Sequence, residues 1–195
     1  LRDVYKRQAY GESLRIGGVT VSFHPAGHIP GSAQIAVERS GEIWVVSGDY
    51  KVEPDGLAEA FAPVPCHAFI SECTFGLPVF RWRPQAAVMN EVTDWWAANA
   101  AAGKVSILGA YSLGKAQRLL AGVGAVGPIL THGAVEQVNE ILRNQGYDLP
   151  ATIRAGQGVD GKTHPGALVI APPSALGSAW ARKFGPAEEA FASGW

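Results

Sequence analysis

The sequence predicts an α/β protein in two parts, antiparallel strands first and a parallel sheet with helices after them. Two hairpin signals follow one another before Gly48. The texture then changes after Arg81. From Pro84 onward, apolar strand-like runs alternate with helical ones, the pattern of βαβ units.

The elements follow in order. Leu14–Ile16 and Val19–Phe23 flank Gly17-Gly18, a hairpin turn. Ala33–Glu38 alternates apolar and polar, Ser40-Gly41 turns the chain, and "EIWVVS" (Glu42–Ser47) completes a second hairpin. "GDYKVEPDGLAEAFAPVP" carries Pro and Gly at intervals and reads as loop. "HAFISE" (His67–Glu72) is a short apolar strand ending in a carboxylate, which continues an antiparallel meander. Pro84 opens a helix running to about Ala102 and closed by Gly103. "KVSILGA" is then a buried strand, "SLGKAQRLLAGV" a helix with Ser112 as N-cap, and "GPILTH" a strand. "GAVEQVNEILRNQG" is a helix capped by Gly146, and "GALVIAPP" a strand. The organisational boundary falls between about Phe75 and Pro84. Trp95 and Trp96, at helical positions, read as packing residues.

Composition narrows the function classes. The chain has 195 residues, 47% hydrophobic and 17% charged, enough for a packed core rather than a disordered segment. A net charge of −1 gives no global basic signature, so a nucleic-acid role needs a local patch or a metal-centred site. Two cysteines, Cys66 and Cys73, make no disulfide framework, which predicts a reduced, cytoplasmic protein. No apolar run reaches membrane-spanning length, and no secretory leader pattern opens the chain. "LRDVYKRQ", with four charges and no periodicity, reads as a non-native leader over residues 1–8. The chain reads as a fragment.

Two residues stand out as metal donors. His28 and Asp49 each follow a predicted strand, and each is preceded by a glycine that lets the backbone turn sharply. Strand ends on one rim bring an imidazole and a carboxylate together, a pairing that suits zinc. Either residue alone reads first as an ordinary loop residue. As a pair at consecutive strand ends, the two readings stand level. Glu72 closes a strand and could orient a histidine or hold a proton for a leaving oxygen; a turn cap is the simpler reading. His67 and Cys66 read as edge or packing residues, and Cys73, beside an anion, as an inert thiol. Ser112 and Lys115 at a helix start could hold a phosphate, without the spacing of a nucleotide-binding P-loop. His132, at another strand end, could touch substrate or be a satisfied loop histidine. Arg81 and Arg83 flank Trp82 and could clamp a nucleic-acid backbone or line a solvated linker.

Taken in order, "HPAGHIPGSAQ", "VVSGDYKVEPDG", "SECTFGLP", "AYSLGKAQRLL", "LTHGAVE", "APPSALGS" and "FASGW" resemble the metallo-β-lactamase-fold nucleases with a β-CASP insertion. Within them, the bacterial ligase-associated DNA exonucleases, also labelled mRNA 3′-end processing factor-like, are the nearest likeness. The resemblance implies a partial metallo-β-lactamase αββα sandwich over 9–78, an inserted parallel-sheet β-CASP domain over 79–192, and a return toward the first domain at 193–195. It implies that His28 is a zinc ligand, that Asp49 is the carboxylate bridging two zinc ions, and that Glu72 is the acidic residue orienting a histidine supplied elsewhere. It implies a phosphodiester hydrolase in which zinc lowers the pKa of a bound water for in-line attack at phosphorus. DNA is the implied substrate, with an ATP-dependent DNA ligase and a helicase as partners in repair.

The family's HxHxDH motif is absent from this sequence, as are its downstream histidine motifs; "THG" at 131–133 falls inside the insertion. The chain thus offers two of the expected metal ligands, which predicts that these residues alone are inactive. Alternatives are an RNA 3′-end processing ribonuclease on the same fold and a non-catalytic nucleic-acid-binding scaffold. A small-molecule hydrolase would have no need of the long βαβ insertion.

Overall fold

A computed structural model describes residues 8–156 and 158–193. The leader read over residues 1–8 and the return segment 193–195 lie outside the described residues, apart from Gln8 and Ser193. The chain forms two compact units, the first ending at Arg81 and the second beginning at Trp82.

The first unit is a five-stranded sheet of β1 (Ser13–Ile16), β2 (Val19–Pro25), β3 (Ala33–Arg39), β4 (Glu42–Val46) and β5 (Ala68–Ile70), in that spatial order. β1 through β4 pair antiparallel through the two expected hairpins. Gly17 and Gly18 both take positive φ (54° and 81°), the conformation a two-residue hairpin turn demands and glycine adopts without steric cost. The expected meander fails at β5, which joins β4 in parallel, Trp44 beside Ala68 and Val46 beside Ile70. A parallel neighbour must begin at the rim where β4 begins, and the long 47–67 connection carries the chain back there. β2, β4 and β5 therefore run in one direction and end at one rim.

The sheet has two unlike faces. Gln34, Ala36 and Val45 are buried on one. On the other, Ile35, Val46 and Ile70 lie in one cross-strand row, with Trp44 nearby, and all four are exposed.

The second unit is an all-parallel sheet, in the order β10-β6-β9-β7-β8. Its elements are α1 (Gln85–Ala101), β6 (Val105–Gly109), α2 (Lys115–Gly122), β7 (Ile129–Thr131), α3 (Gly133–Asn144), β8 (Ile153–Arg154), β9 (Leu168–Ala171) and β10 (Ala187–Phe191). β6 and β9 are buried along their whole length, as strands covered on both faces are. Leu108, Leu168 and Ile170 face one way, against Met89 and Trp96 of α1 and Leu119 and Leu120 of α2. Val105, Ile107 and Val169 face the other way, against Ala181 and Phe184 of the 3-10 turn Ala181–Phe184. Trp96 is fully buried and donates its Nε1 to the carbonyl of Gly166 at 2.8 Å, the packing role read from its position.

Three boundaries depart from expectation. Pro84 is the N-cap of α1, one position before the helix. Gly114, not Ser112, is the N-cap of α2: its N–H donates to Gln117 Oε1 at 2.8 Å, and its φ of 83° is one that serine would hold only under strain. β10 was not expected, because "AEEAF" carries two carboxylates. At the sheet edge both find partners: Glu188 pairs with Lys104 at 2.6 Å, and Glu189 accepts from the Gly177 N–H at 2.8 Å.

Candidate functional sites

His28, Asp49 and Glu72 all lie in the loops that leave the common rim of β2, β4 and β5. The loop after β2 is held from inside. Ser32 Oγ accepts from the N–H groups of His28 (3.1 Å) and Ile29 (3.2 Å), and Ala26 N–H donates to Ser32 O (3.0 Å). Buried Gln34 donates its amide to the carbonyls of Pro25 and Ala62, both at 2.8 Å. The loop after β4 joins it through Lys51 N–H to Ala26 O at 3.0 Å. Lys51 Nζ is paired at 2.6 Å with Asp55, whose other oxygen caps the N–H groups of Leu57 and Ala58. Burial pushes the Asp55 carboxyl up, but the bonds from Lys51, Ala58 and Leu57 outweigh it and hold it below the ordinary range.

Gly27 is where the two loops touch. Its φ is 74°, and a Cβ there would lie 2.2 Å from Lys51 O and 3.2 Å from Phe61 Cβ. Gly27→Ala therefore forces the backbone beside His28 apart. We expect it to destabilise the first unit by about 1–3 kcal/mol, read as a lowered midpoint in thermal melting. Gly31→Ala, with positive φ but open space around it, should cost less.

His28 Nε2 stands 3.6 Å from Asp49 Oδ2, and both side chains are solvent-accessible. That distance is too long for a hydrogen bond. It suits two ligands of one ion, since donors about 2.1 Å from a tetrahedral centre stand about 3.4 Å apart. The donor chemistry thus fits a zinc-like cation. The pair does not complete a centre, for a catalytic zinc takes three protein ligands, and among the described residues no group of three His, Cys, Asp or Glu side chains is disposed to hold a metal. Glu72 is half-buried, and Thr74 N–H donates to its Oε2 at 2.5 Å, the turn-cap arrangement. Bonds from the Thr74 backbone and side chain lower its pKa, with the nearby His28 charge adding a little. His67 serves the sheet edge, its Nδ1 accepting from Ile43 N–H at 3.0 Å. Cys66 and Cys73 are both free thiols.

The expected substrate residues fall on both units. Arg83 pairs with Glu91 at 2.6 Å, in an exposed ion pair at the start of α1. Arg81 is the last residue of the first unit. Ser112 lies in the turn after β6, Lys115 is the first residue of α2, and His132 follows β7. The Ser112 carbonyl accepts from Gln117 Nε2 (2.9 Å), and Lys115 Nζ lies 5.6 Å from the centre of the Tyr111 ring. His132 is the N-cap of α3, its Nδ1 accepting from Ala134 N–H at 3.1 Å, and its ring packs edge-on against Trp180. Burial, then the Arg154 charge, lowers its pKa, so the imidazole is neutral at pH 7.

The chain is 32% identical over 178 residues to a probable DNA ligase of Opitutus terrae, an alignment covering 90% of this chain and 17% of the ligase. It is 30% identical over 112 residues to a ribonuclease of Thermus thermophilus, covering 57% of this chain and 26% of that protein. It is 26% identical over 146 residues to the RNase aCSPSF2 of Saccharolobus solfataricus, covering 72% of this chain and 29% of that one. The chain is a relative of the metallo-β-lactamase/β-CASP nucleases. It spans less than a third of the length of each of these three proteins. No protein-family model matches it. No helix among the described residues is long and apolar enough to cross a membrane.

The sequence overlooked the most heavily bonded group in the second unit. Glu136, buried on α3, accepts from Thr131 Oγ1 (2.5 Å), Thr152 Oγ1 (2.6 Å), Arg143 Nη1 (2.9 Å) and Asn139 Nδ2 (3.3 Å). Asn139 Oδ1 in turn accepts from Gln117 Nε2, which carries the network to the Ser112–Lys115 loop. The readable signal was the spacing of residues 136, 139 and 143, three polar side chains along one face of a helix.

Proposed function

We propose that these residues belong to a zinc-dependent phosphodiester hydrolase, a DNA exonuclease that works beside an ATP-dependent DNA ligase and a helicase in cytoplasmic DNA repair. The observation that carries this reading is the 3.6 Å approach of His28 and Asp49 at neighbouring strand ends, in a relative of β-CASP nucleases. The probable DNA ligase, matched along 90% of this chain, favours DNA and the ligase link.

In this reading the first unit is part of a metallo-β-lactamase domain and the second is the β-CASP insertion. His28 and Asp49 would hold the metal, Asp49 as the carboxylate that two ions would share. Bound there, the metal supplies a Lewis acid against a phosphodiester. Glu72 would orient a histidine supplied from outside these residues. Ser112, Lys115 and His132 take substrate phosphate at the ends of β6 and β7, and Arg81 and Arg83 contact the nucleic-acid backbone. Two donors do not hold a dinuclear centre, so the 195 residues alone are inactive.

The test is degradation of end-labelled DNA and RNA by the chain expressed with any coding sequence that continues its frame in the source DNA. The expected result is stepwise loss of DNA from an end, abolished by chelator and restored by zinc, with no cleavage by the 195 residues alone. Preference for RNA would favour the second reading, an RNA 3′-end processing ribonuclease, to which the two ribonuclease relatives point. A longer protein that binds nucleic acid but never cuts it would overturn the enzyme in favour of a scaffold.

A further inference from the structure

Gln34 is a polar side chain set in an apolar floor. It is fully buried on the face of the first sheet that also buries Ala36 and Val45. It is the second residue of β3, opposite His24 of β2, so the antiparallel ladder holds its backbone. Only one end of its amide is used. Nε2 donates to Pro25 O and to Ala62 O, both at 2.8 Å, while Oε1 has no donor among the described residues. A buried acceptor without a donor is destabilising, and an apolar side chain of the same length would fill the place without that loss. Stability alone therefore does not account for a glutamine here. What the residue supplies is the pair of bonds from Nε2.

Those bonds join the loops that carry His28 and Asp49. Pro25 ends β2, just before the His28 loop. Ala62 lies on the long connection that opens with Asp49, and its own N–H also donates to Pro25 O, at 3.1 Å. The neighbouring Phe61 lies against Gly27, where a Cβ would meet the Phe61 nitrogen at 3.1 Å. The Phe61 ring packs on that of Tyr50 at 5.5 Å between centroids, and Tyr50 meets Phe69 of β5 edge-on at 5.8 Å. Tyr50 directly follows Asp49. A line of contacts thus runs from the His28 loop through Gln34, the 61–62 segment and Tyr50 to Asp49.

We propose that Gln34 is a positioning residue for the metal pair: its amide fixes the loop of His28 to the loop of Asp49 and so sets the spacing of the two donors. The assignment rests on the nuclease reading and adds to it a residue that touches neither metal nor substrate. Gln34 acts through Pro25 O and Ala62 O alone.

The test compares Gln34→Met, which keeps the length and removes the amide, with Gly41→Ala. Gly41 has a φ of 85° in the β3–β4 turn, at the opposite end of the sheet from His28, so alanine there strains the fold away from the site. In the 195-residue chain, amide hydrogen exchange at Lys51 and Ala62 should run about tenfold faster or more in Gln34→Met, with the ladder amides of β3 and β4 unchanged. Gly41→Ala should lower the melting midpoint and leave the Lys51 and Ala62 rates near the parent's. In the protein expressed with the coding sequence that continues its frame, Gln34→Met should raise the zinc concentration for half-maximal cleavage about 10- to 100-fold, with KM for DNA unchanged. The visible absorption bands of the cobalt-loaded protein should change with it. Gln34→Leu serves in its place if the methionine variant fails to fold. Parent-like exchange at Lys51 and Ala62 would overturn the assignment, as would an unchanged zinc requirement or an equal rise in Gly41→Ala. A parent that neither cleaves DNA nor binds zinc would strike the nuclease reading alone, and the exchange rates would still decide whether Gln34 joins the two loops.

Discussion

Glu136→Ala should unfold the second unit more readily than any other single exchange of a polar residue in it. The carboxylate is buried, and four donors converge on it. Its removal leaves Arg143, among the described residues, with Pro150 O and Thr152 Oγ1 at the end of its side chain, and takes from Thr131 Oγ1 the carboxylate it donates to. Breaking one side of a buried pair costs about 3–5 kcal/mol, more than the pair itself contributes relative to apolar packing. Thermal melting of Glu136→Ala should show it directly. Glu136→Gln keeps the shape and some of the bonds, so it should cost less. The pH dependence gives a second check. Burial pushes this carboxyl up, but the bonds from Thr131, Thr152, Arg143 and Asn139 prevail, so its folded pKa lies below its unfolded one. Its contribution is therefore fully present above the ordinary carboxylate range and is lost as pH falls toward the folded value. The stability gap between wild type and Glu136→Gln should be widest at neutral pH and should narrow in acid. A gap that holds constant with pH would mean the charge contributes nothing.

The same residue marks the limit of what the sequence carried. "ILTHGAVE" displays a strand, a cap and a helix plainly, because apolar periodicity and capping chemistry are local. That Thr131, Thr152 and Arg143 meet on one carboxylate is a fact of three elements, and only packing brings them together. β5 went the same way. Its three residues are recognisably strand-like, but whether it joined β4 parallel or antiparallel depended on the path of a long loop with no periodicity. The helix start at Gly114 was missed because Ser112 is a better N-cap by residue type, and the turn that delays the helix to a glycine of positive φ is invisible before the chain is folded. The two donors at the first rim were more legible. His28 and Asp49 each sit just past a strand whose length and turn were readable, and alternate strands of an antiparallel run must end on the same side.

His28→Ala and Asp49→Ala should each reduce cleavage by the assembled nuclease by roughly a hundredfold or more, since even a residue that merely orients a metal ligand is worth 10- to 100-fold. The two substitutions differ in what they leave. Without His28, Asp49 remains exposed and free to bridge, so high zinc should recover part of the loss. Without Asp49, an imidazole alone cannot join two ions, and added zinc should recover little. Asp49→Asn preserves shape and hydrogen bonding but removes the charge that offsets the metal, so it should behave like Asp49→Ala. Thermal melting should barely move in any of these variants, because the pair is solvent-accessible and 3.6 Å apart, with no hydrogen bond to lose. The measurement is cleavage rate against zinc concentration, alongside melting temperature. Loss of activity with unchanged stability assigns both residues to the metal. Full activity after Asp49→Asn would show that the carboxylate only closes a turn after β4, and the candidate centre would lose its bridge.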